Sequence, residues 1–197
     1  DHGARKETIH PFDFAVKEGE TIGVIGGTGS GKSTFVSLIA RLYDVTSGRI
    51  LYRGVDEKEL KPEFIRGKIG FVPQKASLFE GSLRDNMKWG KEDATDEEIY
   101  QALDIAQARE FVDQKEQGLD FRIEQNGGNL SGGQKQRLTI ARALVRKPEI
   151  LILDDSASAL DFATDARLRK AIKENTDNMT VFLVSQRVST IRNADHI

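Results

Sequence analysis

Apolar positions along this chain change period several times, and each change marks an element. Thr21-Ile22-Gly23-Val24-Ile25 is a short β-branched run that predicts a strand, and from Lys32 to Leu42 the residues Phe35, Leu38, Ile39 and Leu42 recur at helical spacing. The stretches Gly48–Tyr52 and Lys68–Val72 read as further strands, the second stopped by Pro73, which lacks a backbone donor. Between Gln74 and Leu144 the pattern turns helical: Asp96 to Ala108 carries Ile99, Leu103 and Ala106 on one face. A second helix is predicted from Ser131, a serine N-cap, to Arg146, just before Pro148. It leads into Glu149–Asp155, whose unbroken run Ile150-Leu151-Ile152-Leu153 suits a parallel strand buried on both faces. Ala163–Lys173 is again helical and Thr180–Val184 is the last strand. The alternation predicts an α/β fold with a mainly parallel sheet and an inserted helical lobe. Residues 1–197 would form one domain, with a core lobe of 1–73 and 146–197 and a helical lobe of 74–145.

Composition narrows the function classes. With 197 residues the chain is long enough for one domain with a substantial core. No apolar run approaches the ~18 residues of a membrane span. The absence of cysteine removes disulfides, thiolate metal sites and cysteine nucleophiles together. Lys and Arg (29) nearly balance Asp and Glu (31), without a dense basic block, which argues against a large nucleic-acid footprint. Asp1-His2-Gly3 does not open a basic-then-apolar signal pattern, so a cytosolic face is expected. His2, His10 and His196 form no cluster in the sequence and read as surface or terminal residues; Trp89 and the ten phenylalanines read as core or lobe packing.

Glycine supplies the first chemical signal. Gly26-Gly27-Thr28-Gly29-Ser30-Gly31-Lys32-Ser33, followed by Thr34, fits G-x-x-x-x-G-K-[ST] between a predicted strand and a predicted helix. Glycines let backbone N–H groups converge on phosphate oxygens, Lys32 would neutralise β/γ-phosphate charge, and the Ser33 hydroxyl would coordinate Mg²⁺. The apolar strand Ile150–Leu153 would deliver Asp154 as a Mg²⁺ partner at its carboxyl end, where open α/β sheets bind ligands. Asp155 follows, in position to orient or deprotonate an attacking water.

Leu130-Ser131-Gly132-Gly133-Gln134, continuing Lys135-Gln136-Arg137, opens the predicted second helix. With the phosphate loop it makes the chain resemble the nucleotide-binding domain of an ABC transporter, whose signature is LSGGQ. The resemblance implies a P-loop NTPase core, an inserted helical signature subdomain and a small N-terminal antiparallel β part. It implies ATP and Mg²⁺ as ligands, and a second nucleotide-binding domain whose bound ATP meets Ser131 and the N–H groups of Gly132 and Gly133. Gln74 in Phe71-Val72-Pro73-Gln74 resembles the Q-loop, which contacts Mg²⁺ and the attacking water and senses transmembrane domains. Ser158-Ala159-Leu160-Asp161 resembles the D-loop, and Leu78–Asn86 is similar to the exporter type rather than the importer type. For Phe71, Leu78 and Phe79, near the Q-loop, the alternative to core or lobe packing is a docking groove for a transmembrane coupling helix. The family's adenine-stacking aromatic falls at or before Asp1, so none is assigned, and strands that normally follow Ile197 are missing, as in a domain excised from a longer membrane protein.

Two positions depart from the family's hydrolytic pattern. Asp155 stands where a catalytic glutamate is usual, and Gln186 where the switch histidine is usual. Aspartate is shorter by one methylene, on the order of 1.5 Å of reach, and glutamine does not titrate near neutral pH. General-base help is worth roughly 10² to 10⁴ in rate, about 3 to 5 kcal/mol of barrier. Gln125, in Ile123–Gly127, also replaces a glutamate usual in exporters. Lys32, Ser33, Asp154 and the signature are intact, so Mg-ATP binding should survive while turnover is slow. The combination resembles the degenerate-site half of a heterodimeric exporter, whose partner would carry the glutamate, the histidine and an altered signature. A slow homodimer is the alternative, as is a soluble ABC-type ATPase of DNA repair or translation; the stretch from Gln74 to Leu130, which holds no heptad arm, and the exporter-like Leu78–Asn86 count against the soluble class.

Overall fold

The computed structural model describes Ile9, His10, Phe12–Thr176 and Asn178–Ile197. In chain order the elements are β1 (Thr21–Val24), α1 (Lys32–Ile39), β2 (Leu51–Tyr52), β3 (Val55–Asp56), α2 (Pro62–Lys68), β4 (Ile69–Val72), β5 (Gly81–Ser82), α3 (Leu83–Lys88), α4 (Asp96–Ile105), α5 (Arg109–Asp113), β6 (Arg122–Ile123), α6 (Gly132–Leu144), β7 (Ile150–Asp154), α7 (Phe162–Asn175), β8 (Thr180–Val184) and α8 (Val188–Ile191). The fold is mixed α/β. Its main sheet has the order β1-β8-β7-β4, with every neighbouring pair parallel. Two short antiparallel pairs, β2 with β3 and β5 with β6, stand apart from it.

Parallel pairing sends every strand of the main sheet the same way. Val184 pairs with Val24 on one side and with Asp154 on the other, and Leu153 pairs with Val72. The loops that follow β1, β4, β7 and β8 therefore leave from one edge, the carboxyl edge, where the candidate site is built.

Helices cover both faces. On one, Val36, Ala40 and Ile65 of α1 and α2 and their flanks pack on Ile22, Ile152, Phe182 and Val184. On the other, Leu138, Ala141 and Leu144 of α6, with Leu168 and Ile172 of α7, pack on Leu151, Leu153, Val181 and Leu183. Alternate residues of β7 and β8 thus belong to opposite clusters, which is why these strands read as unbroken apolar runs. No helix among the described residues is long and apolar enough to cross a membrane.

Several predicted elements end earlier than the sequence pattern suggests. The helix drawn to Leu42 ends at Ile39, the one drawn to Ala108 ends at Ile105, and the one drawn to Arg146 ends at Leu144. Arg41, Gln107 and Lys147, just beyond these ends, take left-handed backbone angles of φ 50°, 59° and 50° and break the helical path. The strand drawn from Gly48 begins at Leu51, after Gly48 turns at φ 74°. Trp89 is a correction of a different kind: it is 71% exposed, stacked on Phe79 at 4.6 Å between ring centroids, outside the core. Leu78 is buried in the core cluster, which favours packing over the docking-groove alternative for this residue.

Candidate functional site

The loop from Gly26 to Gly31 joins β1 to α1. Its curvature depends on glycine at Gly29 and Gly31, with φ of 77° and 93°, and Gly31 caps α1. Gly26 is needed for space as well, since a Cβ there would lie 2.5 Å from Ser30 Oγ. Lys32 folds back over this loop, its ammonium donating to the carbonyls of Gly26 and Gly27, both at 2.7 Å. Ser33, in the first turn of α1, donates its hydroxyl to Asp154 Oδ1 at 3.3 Å, across 121 residues of sequence. Thr28 and Ser30 are exposed on the loop, and Thr34 is half-buried behind it.

Asp154 is buried at the end of β7, and Asp155 is the first residue past it. Asp155 donates its backbone N–H to Val184 and takes a left-handed conformation, φ 48°. Burial raises the pKa of its carboxyl, as does neighbouring Asp154, against the opposing pull of Arg187 and Lys32. The Gln74 amide, from the loop after β4, donates to Asp155 Oδ2 at 3.4 Å. Ser185 donates its backbone N–H to Val24, and Gln186 follows it as an exposed side chain. The phosphate-type loop, Gln74, Asp154, Asp155 and Gln186 thus all sit at or just past the carboxyl ends of the four parallel strands.

The signature residues occupy a second place. Leu130 is buried, and Ser131 caps α6 by accepting from the Gln134 N–H at 3.2 Å while Gln134 Oε1 accepts from the Ser131 N–H at 2.9 Å. This reciprocal box leaves the exposed Gly132 backbone at the helix start. Gly132 and Gly133 pack against the loop carrying Asp161: a Cβ at Gly133 would meet the Ala159 carbonyl at 3.4 Å. Asp161 caps α7, and the N–H and hydroxyl of Thr164 hold its carboxyl below the usual range.

Two residues to which the motifs assign no task, one in the signature stretch and one beside Gln186, organise this region. Gln136, buried on α6, accepts from the Ala159 N–H at 2.9 Å and donates to Ser158 Oγ at 3.3 Å, binding the signature helix to the 158–161 loop. Arg187, beside Gln186, donates to the carbonyls of Ser158 at 2.8 Å and Leu160 at 3.3 Å, and lies over the Phe162 ring. Both act on groups of a loop that only the folded chain brings near, so the sequence does not signal these contacts. Of the histidines, His2 lies outside the described residues, His10 is exposed, and His196 pairs with Glu20 at 3.4 Å. Among the described residues no three His, Asp or Glu side chains gather to hold a metal alone.

Comparison with known proteins separates this arrangement from other phosphate-loop folds. The chain is 47% identical over 195 residues to an uncharacterized ABC transporter ATP-binding protein, YfiB, of Bacillus subtilis, covering 98% of this chain and 33% of that protein. It is 45% identical over 192 residues to ABC transporter B family member 21 of Arabidopsis thaliana, covering 98% of this chain and 15% of that one. The putative multidrug export ATP-binding/permease protein YgaD of Bacillus subtilis is 42% identical over 193 residues, again with 98% and 33% covered. In structure the chain is similar to a bacterial Atm1-family ABC exporter with ATP bound, at a TM-score of 0.91 and 34% identity over 98% of this chain and 34% of that one. The chain therefore spans about a third or less of the length of these relatives. The family model described as ABC transporter matches residues 9–158, from ahead of β1 through the glycine loop and the serine-capped signature helix to the loop after β7, and this chain belongs to that family as an ATP-binding domain.

Proposed function

We propose that this domain binds Mg-ATP in the glycine loop, closes on a second nucleotide-binding domain, and powers export by transmembrane domains. The observation that carries the reading is the Ser33–Asp154 contact, which sets a hydroxyl and a carboxylate side by side at the foot of the glycine loop. An oxygen-only pair of this kind fits Mg²⁺, which keeps water and phosphate in its remaining positions. Bound there with Gln74 nearby, the ion would neutralise charge on the β- and γ-phosphates. Lys32 exchanges the Gly26 and Gly27 carbonyls for phosphate oxygens, and residues Gly26 to Thr34 present backbone N–H groups and hydroxyls to the rest of the chain of phosphates. Ser131, Gly132, Gly133 and Gln134, seated beside Leu130, meet the nucleotide held by the partner domain, and Asp161 stands at the same interface.

Hydrolysis at this chain's own site is slow in this reading. Asp155 is short by one methylene, and Gln186 offers a neutral amide at the γ-phosphate. The partner domain then supplies a glutamate and a histidine at the other composite site, on a different chain. Residues 74–145 act as the signature lobe against a core of 1–73 and 146–197, and the exposed Phe79–Trp89 stack, with Arg142 over Phe79, offers an apolar face to a transmembrane coupling helix on the cytoplasmic side.

The test compares Mg-ATP binding and ADP release by the native chain and by an Asp155→Glu, Gln186→His variant, at concentrations that permit dimers. Binding without ADP release in the native chain, with turnover in the variant, is expected. Equal turnover in both would overturn the slow-site reading in favour of Asp155 as a sufficient base in a homodimer.

A further inference from the structure

Asp155 borders a cavity of about 20 Å³. Its walls come from the loop after β7, from α7, from the segment after β8 and from α8. Three of its lining residues carry buried polar atoms with no hydrogen-bond partner in the protein: Ser156 Oγ, Asp165 Oδ1 and Arg169 Nε. Ser156 is 1% exposed and Asp165 2%. Orphaned buried polar atoms are few in a folded protein, and here three share one small space.

The remaining atoms of the same side chains are engaged. Asp165 Oδ2 accepts from Thr190 Oγ1 at 3.2 Å and pairs with Arg169 Nη2 at 3.3 Å. Arg169 Nη1 donates to the Thr190 carbonyl at 3.0 Å. Two aspartates and two arginines in the lining, Asp155 and Asp165 with Arg169 and Arg187, leave the cavity without a net charge to attract an ion. Its volume exceeds the roughly 10–15 Å³ that one water requires. The three orphans form a complementary set: an N–H that donates, a carboxylate oxygen that accepts, and a hydroxyl that does either.

We propose that this cavity is a binding site for one water molecule, which joins Ser156, Asp165 and Arg169 in a single node and makes α7 the element that positions the 156–161 loop and the 185–187 segment together. Ser156 belongs to the loop that ends at Asp161, the cap of α7. Thr190 belongs to α8, which begins one residue after Arg187. Arg187, which also lines the cavity, closes the circuit through the Ser158 and Leu160 carbonyls. A shift of either segment is then felt by the other through the hydrated node. This deepens the functional reading above, since Gln186 and Asp161 lie on the two segments, and its test needs no nucleotide.

The experiment uses the isotope-labelled 197-residue chain in water, with water itself as the probe. A magnetisation-transfer cross-peak between water and Arg169 Nε–H is expected, with the sign given by molecules that stay bound longer than the protein takes to tumble. A crystal structure fine enough to show ordered solvent should place one water within hydrogen-bond reach of all three atoms. Ser156→Ala removes one partner without crowding the cavity. It should accelerate hydrogen exchange at the Leu160 and Arg187 amides by a common factor of about ten, the equivalent of one net hydrogen bond. Exchange in β4, remote from the cavity, should stay unchanged. A dry cavity in both measurements overturns the site. A hydrated cavity with acceleration at Leu160 alone overturns the coupling and leaves Ser156 a local strut. Mg-ATP binding by the same sample, measured separately, distinguishes failure of the node from failure of the ATP-binding reading.

Discussion

Glu57 offers a sharp test of how burial sets stability in this domain. It follows β3, is 1% exposed, and its Oε1 has no hydrogen-bond partner. The neighbouring Arg41 guanidinium spends its donors elsewhere, on the carbonyls of Glu57 and Leu60 and on Asp44. Burial pushes the Glu57 carboxyl from its ordinary 4.5 up to about 7, with Arg41 and Lys58 opposing and Asp44 and Asp56 reinforcing the rise. A raised folded-state pKa means that the folded chain binds the proton more tightly than the unfolded one. Below pH 4.5 both states hold it and nothing is lost; as pH climbs from 4.5 through about 7 the folded state loses ground, and above that the loss is complete. The interval, at 1.36 kcal/mol per pH unit, is about 3 kcal/mol. Glu57→Gln keeps the shape and cannot ionise. Urea unfolding of both proteins at pH 5, 6, 7 and 8 should give a stability difference that moves in favour of the variant by about 2–3 kcal/mol between the lowest and highest pH. A difference that stays constant with pH would refute the assignment of a buried, ionisable and unpartnered Glu57.

Further outcomes follow from other sites. Gly90→Ala should cost about 2 kcal/mol or more in the same unfolding assay, because the added Cβ would lie 2.2 Å from the Arg142 carbonyl, a backbone atom of α6 that cannot step aside alone. Tyr52, which donates its hydroxyl to Glu149 and is held by burial, should titrate at about 12 in ultraviolet absorbance; its contribution to stability is present below pH 10 and fades as pH rises through 12, and Tyr52→Phe should remove that late step. Asp154→Asn should weaken Mg-ATP binding by about 10- to 100-fold relative to the native chain, read by titration calorimetry, since a carboxylate that holds charge becomes an amide that holds less. Ser131→Ala should cost about 1 kcal/mol of stability through loss of the α6 cap.

How much of this was legible in the residues depends on whether the cause was local. The phosphate-type loop could be read because its glycines, lysine and serine are consecutive and their tasks are set by backbone geometry. β7 and β8 could be read because both of their faces are covered, so every position had to be apolar. The helix ends were misplaced where arginine, glutamine or lysine, rather than glycine, takes the left-handed turn, at Arg41, Gln107 and Lys147. Arg41 is fixed there by tertiary contacts: the Arg66 guanidinium caps its carbonyl at 3.0 Å and its own side chain reaches the Glu57 and Leu60 carbonyls. The tasks of Gln136 and Arg187 are illegible for the same reason, since their partners are two carbonyls, an amide and a hydroxyl of a distant loop. Trp89 was expected inside because tryptophan is costly to expose; its ring instead covers Phe79, and the pair shares its exposure.

The left-handed backbone at Asp155 acts as a filter on which residue can stand there. Aspartate enters that conformation readily because its short polar side chain can serve the local backbone, whereas a longer acidic side chain loses that help and carries roughly 1–2 kcal/mol of steric cost. Any route from aspartate to glutamate at this position is therefore uphill for folding, unless the turn between β7 and the 156–161 loop relaxes with it. Set against the 3 to 5 kcal/mol or so that a well-placed base removes from a barrier, the toll is smaller than the catalytic return. On the functional reading proposed above, a gain in turnover from a longer carboxylate would therefore appear together with a measurable loss of melting temperature.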